Sequence, residues 1–119
     1  MSHNNTVRGR THLSRQVAGE VAGVMQALAT PSRLLILDHL RDGPSSVGAL
    51  TLAVGMEQSA VSHQLRLLRQ LGLVTSERDG RRINYALHDA HVGELLEEAI
   101  GHAEHVRLGL RQSSGAGAQ

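Results

Sequence analysis

The 119-residue sequence contains no cysteine, no lysine, no phenylalanine and no tryptophan. The absence of cysteine excludes disulfides, thiolate metal sites and iron–sulfur clusters, so a metal site must use imidazole, carboxylate or backbone groups. One tyrosine is the single aromatic residue, so the core must be aliphatic. A chain this short buries only about two thirds of the surface that its unfolded form exposes, and a second subunit would add to that burial.

Long apolar runs and enzyme signatures are also missing. No apolar run approaches the ~20 residues of a membrane-spanning helix, and the first residues lack the layout of a signal peptide. We therefore expect a soluble, cytoplasmic protein with no membrane partner. The sequence has no His-Glu-X-X-His motif, no glycine-rich phosphate loop and no serine nucleophile elbow, which argues against an enzyme. Nothing in it predicts an organic small-molecule ligand.

The formal net charge of +1 hides an uneven distribution of charge. Residues 1–19 carry three arginines and no acidic residue, whereas residues 89–104 carry five acidic residues and no arginine. This asymmetry indicates an anionic partner at one face and a cationic one at another. An ordinary solvated surface is the alternative interpretation.

Apolar residues at spacings of three and four predict five helices. The first follows Ser14, the second covers residues 32–41, the third follows Ser45 or Ser46, the fourth covers residues 57–71, and the last runs from Asp89 towards Leu110. Two runs of alternating polarity flank the dipeptide Asp79-Gly80, which predicts a β-hairpin.

These elements divide the chain into three parts. Residues 1–13 are polar and basic, and we expect a flexible arm there. Residues 14–110 form the predicted folded domain. Residues 111–119 are rich in glycine, alanine and serine, which predicts a disordered tail.

The order of helix, glycine-containing turn, helix and hairpin predicts a winged helix-turn-helix. This fold is mainly α, with five helices and a β-hairpin wing of two strands. The fourth helix has a polar face opposite Val61, Leu65 and Leu68, and its side chains are of the types that bind base edges and phosphates. Arginines of the hairpin are placed to contact phosphate. The predicted DNA-binding residues are Gln58, Ser59, Ser62, His63, Gln64, Arg66, Arg69, Arg78, Arg81 and Arg82.

For a single helix, a solvated polar face is the simpler interpretation. The basic hairpin and the helix-turn-helix order occur together here, and their combination favours DNA binding. One such helix contacts only a few base pairs, so we expect a two-fold homodimer that reads a palindromic operator in double-stranded DNA.

The last predicted helix carries Asp89 and His91 at its start and His102 and His105 further along. His102 and His105 are three residues apart, so they are neighbours on one face. Asp89, as the helix cap, is not yet helical, so it can converge with His91. His91 and His102 share a face but lie eleven residues apart, about 16 Å along the helix. Metal–nitrogen bonds are about 2 Å long, so one helix cannot close the site.

Two copies of this helix packed antiparallel can close the site. Asp89 and His91 of one subunit would then meet the partner subunit's His102 and the partner subunit's His105, which gives two identical sites per dimer. Taken singly, each residue is more simply an exposed polar side chain. The shared face and the antiparallel match together favour a metal site between subunits.

Several sequence blocks resemble the ArsR/SmtB family of bacterial metal-responsive repressors. They are ATPSRLLIL at 29–37, QSAVSHQL at 58–65, LGLV at 71–74 and DGR at 79–81. The resemblance covers residues 15–110 and implies a homodimeric winged-helix repressor that binds operator DNA when metal-free and releases it on binding metal. It also implies metal ligation by Asp89, His91, His102 and His105. The cysteine motif that some members carry in the third helix is absent here, which argues against thiolate sensing of As(III), Cd(II) or Pb(II).

The identity of the metal depends on the number of donors. Four nitrogen and oxygen ligands suit tetrahedral Zn(II), whereas Ni(II) and Co(II) prefer six. The amine of Ser2, after removal of Met1, and the ring of His3 would complete six-coordination. The sequence most resembles the nickel- and cobalt-sensing branch of the family, which implies this role for Ser2 and His3, although Arg107 replaces a histidine that this branch can carry. The alternative for His3 is a tail residue without a ligand.

The remaining histidines lack a ligand partner at useful spacing. His88 adjoins Asp89 but is expected to point away from it, on the hairpin surface. His12, His39 and His63 are assigned to the arm, a helix surface and the DNA-binding face.

Overall fold

The computed structural model describes the backbone of residues 12–117 and the side chains of residues 12–110. Its elements in chain order are α1 (Arg15–Leu28), α2 (Pro31–Leu40), β1 (Ser45–Ser46), α3 (Val47–Val54), α4 (Gln58–Gln70), β2 (Val74–Asp79), β3 (Arg82–Leu87) and α5 (Ala90–Gly117). This order confirms the predicted winged helix-turn-helix with five helices.

Side-chain caps fix where the first three helices begin. Ser14 caps α1. The Thr30 hydroxyl accepts a hydrogen bond from the Arg33 N–H at 3.3 Å, and the Ser46 hydroxyl accepts one from the Ala49 N–H at 3.2 Å. Each cap satisfies a backbone donor that the first turn of a helix leaves without a partner.

The core is aliphatic and lies where α2, α3 and α4 pack against the sheet and the first turns of α5. Its fully buried side chains are Ile36, Leu37, Leu50, Val61, Leu65, Leu68, Val74 and Leu96. Three of them lie on α4 at spacings of four and three, so one face of α4 is buried and the opposite face meets solvent.

The sheet has three antiparallel strands in the order β1-β3-β2. The sequence pattern predicts only the two hairpin strands; β1 is the third, and it pairs Ser45 with Tyr85 and Ser46 with Asn84. Two residues are too short to show an alternating pattern, which is why β1 has no signal in the sequence. Its pairing places the start of α3 beside the wing.

The predicted hairpin is present and has a two-residue turn. Asp79 pairs with Arg82, so the loop consists of Gly80 and Arg81 alone. Gly80 has φ +67°, and no non-glycine residue in the described chain has a positive φ. Glycine at the first loop position is the requirement of a type II′ turn, whose twist matches that of the strands. Arg78 and Arg82 therefore belong to the strands.

Helix α5 extends to Gly117, past Leu110, where the apolar pattern predicts its end. The backbone is thus helical over most of the segment for which the composition predicts a disordered tail. The added residues contain no proline, so nothing in them blocks the helical hydrogen bonds. Residues 1–11, which include most of the predicted arm, and residues 118–119 lie outside the described part of the chain.

Helices α1 and α5 carry apolar side chains that this single chain leaves uncovered. The buried residues of α1 are Ala27 and Leu28, whereas Val17, Val21 and Val24 are 39–41% exposed at helical spacing. On α5, four large aliphatic residues beyond Leu96 are exposed, Ile100, Val106, Leu108 and Leu110. The residues of α1 form one apolar stripe, and a stripe of this kind is typical of a surface that a partner subunit covers. None of the helices in the described range is long and apolar enough to cross a membrane.

The stripe on α1 gives a test of the expected homodimer. Val21→Asp places a charge in the middle of the stripe, so we expect dissociation to monomers at micromolar concentration with an unchanged helical circular-dichroism spectrum. Sedimentation velocity measures the change. The matched control is Gln26→Asp, whose exposed side chain lies on the opposite face of α1, and this variant should remain dimeric. A Val21→Asp protein that stays dimeric would show that α1 is not in the interface.

Candidate DNA-binding surface and metal-binding residues

The outward face of α4 carries most of the residues that the sequence assigns to DNA contacts. Gln58, Ser59, His63, Arg66 and Arg69 are exposed, and Ser62 is half-buried beside them. The burial of the opposite face fixes this orientation. The resulting surface offers amide, hydroxyl, imidazole and guanidinium groups in a helix of thirteen residues, a combination suited to base edges in the major groove.

The wing adds a second basic surface. Arg78, Arg81 and Arg82 are exposed at the tip of the hairpin. The β1–β3 pairing brings the tip close to the start of α3, and a groove of about 470 Å³ between them is lined by Gly48, Arg81 and Arg82 among others. In the described part of the chain, none of the arginines of α4 or the wing forms an ion pair with an acidic residue. Their charges are therefore free to meet phosphate.

Gln64 differs from the other predicted DNA-binding residues. Its side chain is half-buried, and its Oε1 accepts a hydrogen bond of 2.8 Å from Nε of Arg33 on α2. The side chain of Gln64 is therefore turned towards α2, away from the outward face of α4. Gln64 is among the DNA-binding residues that the sequence predicts, and the sequence gives no signal for its contact with Arg33, which lies thirty-one residues away in the chain.

The start of α5 brings Asp89 and His91 together, as their position at a helix start predicts. Oδ1 of Asp89 accepts a hydrogen bond from the Val92 N–H at 3.2 Å, which caps the helix. Oδ2 lies 3.6 Å from Nδ1 of His91. One carboxylate therefore orders the helix with one oxygen and holds an imidazole near the other.

His88 is also part of this cluster, contrary to the expectation that it points away. Its Nδ1 lies 3.3 Å from Oδ2 of Asp89. Adjacent side chains diverge inside a helix, but both residues precede α5, so that rule does not apply to them. The hydrogen bond with His88 is the main cause that lowers the pKa of Asp89, although partial desolvation opposes it.

His102 and His105 lie one turn apart on the exposed face of α5. His102 also lines a groove of about 490 Å³ at the junction of α1 and α2, next to Leu28 and Leu34. Within the described residues of one chain, no three histidine, aspartate or glutamate side chains form a group that could hold a metal ion. The helical rise separates His91 from His102 by about 16 Å. Ser2 and His3 lie outside the described residues.

Comparison with known proteins identifies a protein family and relatives with similar sequences. The profile of the family described as "Bacterial regulatory protein, arsR family" matches residues 30–76. This range begins at the cap of α2 and ends within β2, so it contains the complete helix-turn-helix. The chain is 58% identical over 112 residues to the HTH-type transcriptional regulator NmtR of Mycobacterium tuberculosis, covering 92% of this chain and 93% of that protein.

Two solved structures share the fold over most of the chain. The solution structure of apo-NmtR is 60% identical and has a TM-score of 0.70, covering 82% of each chain. The homodimeric winged helix-turn-helix DNA-binding domain of Mb0332 from Mycobacterium bovis, described as a possible ArsR-family transcriptional regulator, is 34% identical. Its TM-score is 0.69, over 79% of this chain and 89% of that one.

The contact between His88 and Asp89 predicts an acid-range titration. Because that contact favours the carboxylate, Asp89 should titrate below its ordinary pKa of 3.8 in the metal-free protein. The cap of α5 should therefore persist above pH 3.8 and be lost as the pH falls through the lowered value. His88→Ala should raise the pKa of Asp89, whereas His12→Ala should not change it. Carbon-detected NMR of the Asp89 carboxyl measures both, and equal midpoints in the wild type and His88→Ala would contradict the assignment.

Proposed function

The chain belongs to the ArsR family of bacterial regulatory proteins, and we propose that it is a metal-sensing transcriptional repressor. Its homodimer binds operator DNA when free of metal. Binding of Ni(II) or Co(II), or alternatively Zn(II), between the two α5 helices weakens the binding of DNA.

DNA recognition uses the two basic surfaces together. Helix α4 enters the major groove with Gln58, Ser59, His63 and Arg66, and Arg69 meets the backbone at its end. The wing arginines hold the adjacent phosphates. Because each α4 covers only a few base pairs, the dimer reads two half-sites of a palindrome, and the distance between its two α4 helices must match their spacing.

The metal site is carried by one observation, the convergence of Asp89 and His91 at the start of α5, where His88 also lies 3.3 Å from the same carboxylate oxygen. The carboxylate Oδ2 and the His91 Nδ1 are 3.6 Å apart, so both donors face one region of space. Oxygen and imidazole ligands suit Zn(II), Ni(II) and Co(II). The partner subunit's His102 and the partner subunit's His105 would supply the remaining donors when the two α5 helices pack antiparallel.

A metal held in this way links the two subunits. Tightening the contact between the α5 helices changes how the two DNA-binding units are spaced, which lowers the affinity for the operator. Such coupling is a free energy that both ligands share, so the operator must weaken metal binding by the same factor. Related proteins support this reading, since the solved structure of the relative NmtR is described as an apo form, a word used for a protein that takes a ligand.

The shared coupling can be measured with a DNA duplex that the metal-free protein selects from a random pool. We expect the operator duplex to weaken Ni(II) or Co(II) binding by roughly 5–150-fold, the usual range of allosteric coupling. Isothermal titration of the dimer with and without the duplex gives both affinities. His102→Ala and His105→Ala should abolish the metal effect on DNA binding, and His12→Ala should leave it intact.

Three outcomes would contradict the proposal. Equal metal affinities with and without the duplex would refute the coupling. An unchanged metal response in His102→Ala and His105→Ala would assign the effect to other residues. A protein that binds DNA without any metal response would be a winged-helix regulator that senses no metal, which is the alternative function.

The number of ligands distinguishes the metals. We expect weak d–d absorption bands for the Co(II) form if the amine of Ser2 and the ring of His3 complete six-coordination, since six-coordinate Co(II) absorbs weakly and four-coordinate Co(II) intensely. Removal of residues 1–5 should then convert weak bands to intense ones. The His12→Ala variant serves as the control. Identical spectra with and without residues 1–5 would exclude Ser2 and His3 as ligands.

A further inference from the structure

The guanidinium of Arg33, on α2, forms hydrogen bonds with both α1 and α4, two helices that have little direct contact with each other. Arg33 lies in the first turn of α2, and its Nε donates to Oε1 of Gln64 on α4 at 2.8 Å. Its NH1 donates to the carbonyl oxygen of Ala27 in the last turn of α1 at 3.2 Å. Ala27 is only 3% exposed, and the side chains of Arg33 and Gln64 are half-buried.

Both hydrogen bonds have a clear physical basis. The last four carbonyl groups of a helix have no partner within it, so the Ala27 carbonyl needs a donor from elsewhere. Guanidinium donors are charged, and their hydrogen bonds are stronger than neutral ones. The guanidinium is planar and its donors point in fixed directions, so one side chain can fix two acceptors relative to each other. The Arg33 N–H is itself bound by the Thr30 cap.

The two groups that accept hydrogen bonds from Arg33 lie on helices with different expected functions. Ala27 lies at the end of α1, whose exposed stripe of Val17, Val21 and Val24 is the expected dimer surface. Gln64 directly follows His63 on α4, so it lies beside the DNA-binding face but points away from it. A rotation of α4 that carries Gln64 away from α2 would break the hydrogen bond between Gln64 and Arg33.

We propose that Arg33 is a positioning residue that sets the orientation of α4 relative to the dimer helix α1. Arg33 and Gln64 thereby determine the affinity for the operator without contacting DNA. The spacing of the two α4 helices in a dimer depends on how each is held against the dimer surface, so a small rotation in each subunit alters the match to both half-sites. This inference rests on the DNA-binding part of the proposed function and not on the metal response.

The test compares Arg33→Met, Gln64→Met and the double variant, all without metal. Methionine keeps the aliphatic length of both side chains and removes the donor or the acceptor. We expect each single variant to weaken binding of the selected operator duplex by roughly tenfold, the usual effect of one lost charged hydrogen bond. The double variant should bind no more weakly than Arg33→Met, because the two residues act through one contact. Fluorescence anisotropy of the labelled duplex measures these affinities.

The salt dependence separates positioning from direct DNA contact. A side chain that neutralises a phosphate contributes about one to the slope of log affinity against log salt. Arg33→Met and Gln64→Met should leave this slope and the affinity for a random duplex unchanged. Arg66→Met is the matched control: Arg66 is exposed on the DNA-binding face, and its loss should lower the slope by about one.

Each contrary result has a defined meaning. If Arg33→Met lowers the slope of log affinity against log salt as Arg66→Met does, Arg33 contacts a phosphate and the proposal is overturned. A lower melting temperature with unchanged operator affinity of the folded dimer would make its role purely structural, and additive losses in the double variant would separate the two residues. If Arg33→Met does not fold, the affinity of Gln64→Met tests the proposal by itself, because this variant loses the hydrogen bond to α4 and keeps the one from Arg33 to Ala27. Failure of the wild type to select any duplex would instead overturn the proposed DNA binding.

Discussion

The burial of one face of α4 is the constraint on which the DNA-binding surface depends. Val61, Leu65 and Leu68 are fully buried against α2, α3 and the sheet, so the helix has one rotational setting that satisfies the core. That setting turns the polar residues outward, and the wing arginines extend the same basic surface. A helix held less firmly would present a range of faces to DNA and would lose discrimination between sequences.

The structure also explains why one chain is incomplete. The apolar stripe of α1 and the exposed aliphatic residues of α5 lack a covering surface. The metal-ligand candidates of α5 are divided between two regions about 16 Å apart along the helix. In the proposed function, a second copy of the same chain meets both deficits. Dimerisation, DNA spacing and metal binding would then depend on the same two helices, which is the arrangement that allows one of these events to influence another.

Local patterns predict much of this architecture, and the differences arise where interactions are not local. Helical spacing and capping residues such as Ser14 and Thr30 place the helix starts within a residue or two, and Asp79-Gly80 marks the hairpin. The pairing of Asp89 with His91 follows from their place at a helix start. Strand β1 is too short to have a period, and the bond between Arg33 and Gln64 joins residues distant in sequence. The prediction that His88 points away from Asp89 is wrong because adjacent side chains diverge only inside a helix, and both residues precede α5.

The double use of the Asp89 carboxylate limits the kind of ligand it can be. Oδ1 accepts the hydrogen bond from the Val92 N–H that caps α5, and Oδ2 lies near the rings of His88 and His91. In the proposed function, an ion that binds through Oδ2 alone leaves the cap undisturbed. An ion that requires both oxygens, as large oxygen-preferring cations often do, competes with the capping hydrogen bond. The order of the first turn of α5 and the mode of ion binding would thus depend on the same carboxylate.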